Sequence, residues 1–122
     1  MKRDFDLIRS ILRIVEDAPA NTDLQANSFK IDNYDEDTVL EHIDLLIEAN
    51  LLEGRIIKTM RGLSGCIIQR LTWDGHDFLQ PAKKDDIWNK AFSVIKEKGG
   101  AITFEVVKEL LKTLSLNAVG LP

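Results

Sequence analysis

The run Ala49-Asn50-Leu51-Leu52-Glu53-Gly54-Arg55-Ile56-Ile57-Lys58-Thr59, then Met60-Arg61-Gly62-Leu63-Ser64-Gly65, then Cys66-Ile67-Ile68-Gln69-Arg70-Leu71-Thr72 decides the fold. Asparagine tolerates the left-handed backbone conformation that closes a helix, so Asn50 marks a helix exit. Leu52 to Thr59 and Cys66 to Thr72 are rich in β-branched residues, and Gly62 and Gly65 give the residues between them turn freedom. The pattern predicts a β-hairpin with a loop of about four to six residues.

Upstream, Val39, Ile43, Leu46 and Ile47 recur at helical spacing and predict an amphipathic helix over Tyr34 to Ala49, capped by Asn33 with Glu36 returning the hydrogen bond. Phe5, Ile8, Ile11, Leu12 and Val15 predict another over Asp4 to Asp17, which Ala18-Pro19 stops. The polar text between them holds one alternating stretch, Ser28-Phe29-Lys30-Ile31, which reads as a brief strand.

Downstream, Thr72 caps a short helix, Trp73 to Leu79, before Pro81 interrupts it. Asp85 or Asp86 caps a helix to Lys98 that buries Ile87, Trp88, Ala91, Phe92 and Ile95, and Gly99-Gly100 ends it. A last helix, Thr103 to Leu114, carries Phe104, Val107, Leu110, Leu111 and Leu114 on one side, and residues 115–122 read as a fraying tail. At 122 residues the expectation is one domain: a core over 1–80, with the helices of 81–114 packed on it.

Composition describes an ordinary globular chain, 44% hydrophobic and 30% charged. No apolar run is long enough to span a bilayer, and the start Met1-Lys2-Arg3-Asp4 brings an acidic residue where a signal peptide is apolar, which predicts a cytoplasmic protein without membrane contact. Charge is unevenly placed along a chain of net −4: residues 31–54 contain eight acidic side chains and no Lys or Arg. Residues 55–73 carry Arg55, Lys58, Arg61 and Arg70 and no acid.

Catalytic constellations do not emerge. His42 and His76 fall in different elements with no ligand-spaced partner, so no metal is expected. Ser64 lies in Gly62-Leu63-Ser64-Gly65, which lacks a strand-to-helix elbow and an acid partner. Cys66 reads as a small apolar strand residue. The carboxylates of the acidic block are spread like a solvated helix face, and no phosphate-cradling glycine motif, cofactor site or small-molecule site is evident. The expectation is a binding protein and not an enzyme.

The order helix, short strand, helix, hairpin, helix resembles a winged helix-turn-helix domain with a reduced second helix. The fold class expected is α+β, mainly helical, with a β-hairpin wing and two additional C-terminal helices. His42-Ile43-Asp44-Leu45-Leu46-Ile47-Glu48-Ala49-Asn50-Leu51-Leu52 resembles the helix-into-wing segment of such regulators, with Asn50 where glycine is usual. Leu71-Thr72-Trp73-Asp74-Gly75-His76-Asp77-Phe78-Leu79 resembles the phrase that closes their wing, with Gly75 allowing the next helix to pack closely. Over nearly its whole length, through these stretches, Met1-Lys2-Arg3-Asp4, Asp6-Leu7-Ile8-Arg9, Ile87-Trp88-Asn89-Lys90 and Lys98-Gly99-Gly100, the chain resembles the bacterial and prophage family named domain of unknown function 2513. That resemblance implies a winged-helix-like fold and a link to mobile elements, and it brings no activity.

Two partners stay open. A DNA-binding regulator would use the candidate wing cations Arg55, Lys58 and Arg61 on phosphates, because the helix before the wing is acidic and a poor groove reader. A protein-interaction module, either a homodimer or a contact with a phage or host protein, would use Asp37, Glu41, Asp44 and Glu48 on that helix.

Overall fold

The computed structural model describes residues 1–122, an α+β chain that is mainly helical, with five α-helices and a three-stranded antiparallel sheet. It divides into two compact units, Met1–His76 and Asp77–Pro122.

In the first unit, α1 (Phe5–Asp17) starts where Asp4 caps it, Oδ1 accepting from the Leu7 amide at 3.1 Å. Its apolar stripe is buried through Phe5, Leu7, Ile8, Ile11, Leu12 and Val15, as the spacing predicts. The brief strand β1 is Leu24–Gln25 and not Ser28–Ile31. Ala26–Phe29 instead forms a single 3-10 turn in which the Gln25 and Ser28 side chains bond each other's backbone amides. Such local bonds compete with a strand ladder, and the turn carries Phe29 inward.

The helix α2 runs Glu36–Glu48, shorter than expected at its start. Its cap is Asp35, whose carboxylate accepts from the Thr38 amide at 2.7 Å; Asn33 takes a left-handed turn instead, with φ 72°. Val39, Leu40, His42, Ile43 and Leu46 are buried, while Ile47 is only half-buried. Asn50 ends the helix at φ 61°, as expected.

The hairpin is tighter than the sequence suggests. β2 (Leu52–Thr59) and β3 (Gly62–Leu71) are joined by Met60 and Arg61 alone. The Thr59 hydroxyl accepts from the Arg61 amide, and Gly62 takes φ 107°, a conformation only glycine adopts cheaply. The longer ladder survives because β3 absorbs two irregularities, its partners skipping Gln69 and Ser64. The first lets Ile68 and Leu71 both face inward; at the second, the Ser64 hydroxyl donates to the Ile57 carbonyl. The strand order is β1-β3-β2, with β1 pairing only Ile67 and Ile68.

Thr72 closes this unit. Its hydroxyl donates to the Asn50 carbonyl at 2.7 Å and accepts from the Gly75 amide at 3.0 Å, tying the exit of α2 to the start of α3 (Trp73–Ala82). A Cβ at Gly75 would collide with the Leu51 carbonyl oxygen, so the close packing expected there is present.

In the second unit α3 continues through Pro81, which falls in its last turn where the missing amide costs one bond at most. α4 (Asp85–Lys98) has Lys84 at its cap position with no side-chain bond; Asp85 and Asp86 lie in its first turn, favourable to the helix dipole. Gly99 ends it at φ 68°. α5 (Phe104–Ala118), capped by Thr103, runs beyond Leu114 into the segment expected to fray. Half-buried Leu114 and Leu116 extend its apolar side and explain the extra turn. Phe104 stacks on Phe78 with ring centroids 5.2 Å apart, and Trp88 lies 4.6 Å from Phe92.

Candidate functional site

Asp37, Glu41, Asp44 and Glu48 follow each other at four, three and four residues, which places them on one stripe of α2, opposite its buried side. Asp37, Glu41 and Glu48 are exposed and Asp44 is half-exposed. No ion pair covers any of the four. The stripe is therefore a continuous band of negative charge along the outside of the helix.

The cations of the hairpin are arranged differently. Arg55, Lys58 and Arg61 are exposed and form no ion pair. By strand alternation Arg55 shares the outer face with Glu53 and Ile57, Lys58 shares the opposite face with Ile56, and Arg61 sits in the turn. The structure thus gathers the acids into one row and does not gather the bases. Arg70 is taken by Glu53, its Nε 2.7 Å from the carboxylate.

His42 is the residue whose role the sequence hid. It is fully buried, its Nε2 accepts the Asp4 amide at 2.8 Å, and its Nδ1 lies 2.8 Å from the Thr38 carbonyl oxygen. A carbonyl can only accept, so Nδ1 carries the hydrogen and both ring nitrogens are committed to protein. The visible signal was position: His42 lies three residues after Val39 and four before Leu46, on the apolar stripe. Tyr34 completes the cluster, its hydroxyl donating to Asp4 Oδ2 at 2.6 Å. Burial pushes the Asp4 carboxyl up, but the bonds from Tyr34 and the Leu7 and Asp6 amides outweigh it and hold Asp4 below the usual value. The same bond, with burial, pushes the Tyr34 phenol up to about 12. This cluster clamps α1 to α2.

Burial pushes the Cys66 thiol up to about 11, away from the thiolate that nucleophilic chemistry needs. His76 is exposed, as is Trp73 beside it in sequence. No three His, Cys, Asp or Glu side chains are grouped closely enough to hold a metal ion, and no helix is long and apolar enough to cross a membrane.

Concave surface is found beside the hairpin. A cavity of about 600 Å³ is lined by Phe29, Val39, Leu40 and Cys66 at its floor, with Ile57, Asp32 and Glu36 among its rim.

An α+β chain with an acid-faced helix leading into a hairpin is the class these features define. The chain belongs to the family described as hypothetical protein (DUF2513), whose model matches residues 2–101. It is 33% identical over 115 residues to a protein of Haemophilus influenzae described as "Uncharacterized protein", covering 93% of this chain and 95% of that one. No solved structure matches.

Proposed function

We propose that the chain is a non-catalytic binding module of winged-helix type that works by contacting protein, with the acidic stripe of α2 as its contact surface. The winged-helix reading is supported by the order α1, β1, 3-10 turn, α2, hairpin, and by β3 lying between β1 and β2. In that reading the 3-10 turn stands for the reduced second helix and α2 for the recognition helix. The observation that carries the choice of partner is the unpaired row Asp37, Glu41, Asp44 and Glu48, which repels phosphate where a DNA reader needs Arg, Lys or Asn. A regulatory role in a mobile element is the setting the family resemblance suggests.

A second reading, DNA contact through the hairpin, rests on the unpaired Arg55, Lys58 and Arg61. The two are separated by titrating the protein with mixed-sequence duplex DNA at low and moderate salt, beside the Arg55→Ala, Lys58→Ala, Arg61→Ala variant. The protein-contact reading expects no binding. Binding that weakens with salt and vanishes in the variant would overturn it.

A further inference from the structure

Met60 is fully exposed, at 107% relative accessibility, in the two-residue turn of the hairpin, with Lys58 and Arg61 on either side of it. A flexible apolar side chain in water between two cations is complementary in chemistry to an apolar, acid-rimmed recess. The cavity beside the hairpin is such a recess. Its floor of Phe29, Val39, Leu40 and Cys66 is apolar, and its charged rim consists of Asp32, Glu36 and Lys30, so acids outnumber the base. Asp35 and Asp37 flank Glu36 at the start of α2 and add to the negative field.

The cavity also opens along an unfinished edge. β1 covers only Ile67 and Ile68 of β3, so from Gly62 to Cys66 the β3 edge away from β2 carries no strand, and Ser64, Gly65 and Cys66 line the cavity. Such an edge offers backbone donors and acceptors to an extended segment. The chain's own tip cannot fill the space, because Ile57 and Ser64 at its rim are part of the ladder that carries the tip away from it.

We propose that the cavity receives the hairpin tip of a second copy of this chain, with Met60 on the apolar floor and Lys58 and Arg61 against Asp32 and Glu36. Each copy owns one tip and one cavity, and a reciprocal exchange about a two-fold axis uses both and closes as a dimer. The inference rests on the protein-contact reading above and adds to it a second surface, the cavity and the hairpin tip, separate from the acidic row of α2.

Sedimentation velocity over a dilution series, at low and moderate salt, tests it on the full chain. The expected result is a dimer that dissociates on dilution, more readily with salt. Met60→Asp, Arg61→Glu and Glu36→Lys each weaken association by about tenfold or more, and the Arg61→Glu, Glu36→Lys double variant regains it because the charges are exchanged. All three positions are exposed, and circular dichroism verifies the fold, with Met60→Ser as a milder second variant. A wild type that stays monomeric up to its solubility limit overturns self-association, while the protein-contact reading falls only to salt-sensitive DNA binding. A dimer indifferent to all the variants overturns the placement.

Discussion

The Nε2 atom of the fully buried His42 accepts the backbone amide of half-buried Asp4 across 38 residues of sequence, at 2.8 Å. That bond joins the cap of α1 to the middle of α2, and with the Thr38 carbonyl on Nδ1 it leaves no spare valence on the ring. Replacing His42 with Leu keeps a side chain of similar size but removes both ring nitrogens, strands the Asp4 amide and weakens the start of α1. A loss of about 2–3 kcal/mol in urea unfolding is expected. A loss below about 0.5 kcal/mol would mean that water satisfies the amide and that the clamp is incidental.

Tyr34 is the single tyrosine of the chain, so its ionisation can be followed directly by tyrosinate absorbance. Bonded to Asp4, the phenol is pushed up to about 12 in the folded protein, against 10.0 for the free side chain. A raised folded value means that the stabilisation is complete below pH 10 and is lost as the pH climbs from there through 12. For Asp4 the sign is opposite: its lowered carboxyl stabilises the fold above the ordinary carboxylate range and the contribution disappears as acid protonates it. Tyr34→Phe is expected to cost about 0.5–1.5 kcal/mol at neutral pH. It should also bring Asp4 protonation to higher pH, read by NMR of the carboxyl carbon. An unfolded-like tyrosinate titration in the native protein would contradict the bond.

Gly75 lies so close to the Leu51 carbonyl that no Cβ fits without moving backbone, and an added Cβ would also come within 3.4 Å of the Leu71 side chain. Gly75→Ala is expected to destabilise the first unit by about 1–3 kcal/mol or more in thermal or urea unfolding, despite the better helix propensity of alanine. An unchanged or raised midpoint would show that α3 can shift away from Leu51 at no cost.

Periodicity made α1, α2, α4 and α5 legible, because their apolar residues recur at helical spacing over three turns or more. Asn50 and Gly75 were legible too, since each is a residue type suited to one backbone demand. What stayed hidden was decided by bonds between residues close in sequence or very far apart. Ser28 and Gln25 bond each other's amides and turn Ser28-Phe29 out of a strand. Asp35 outcompetes Asn33 as cap because its carboxylate meets the Thr38 amide. The two-residue turn at Met60-Arg61 depends on irregularities at Ser64 and Gln69 that composition does not announce. Of the surface, the acidic row was readable from spacing on α2. The scatter of Arg55, Lys58 and Arg61 over two faces and a turn was not, since it depends on the register of the hairpin.

The central proposal is that the acidic row of α2 keeps DNA away and faces protein. Its most direct test is fluorescence anisotropy of a labelled mixed-sequence duplex, at low salt, against the wild type and a variant with Asp37→Asn, Glu41→Gln, Asp44→Asn and Glu48→Gln. The expected result is no binding by the wild type and a salt-sensitive affinity that emerges only when the row is neutralised, because Arg55, Lys58 and Arg61 are then no longer opposed. Binding by the wild type as tight as that of the neutralised variant would contradict it.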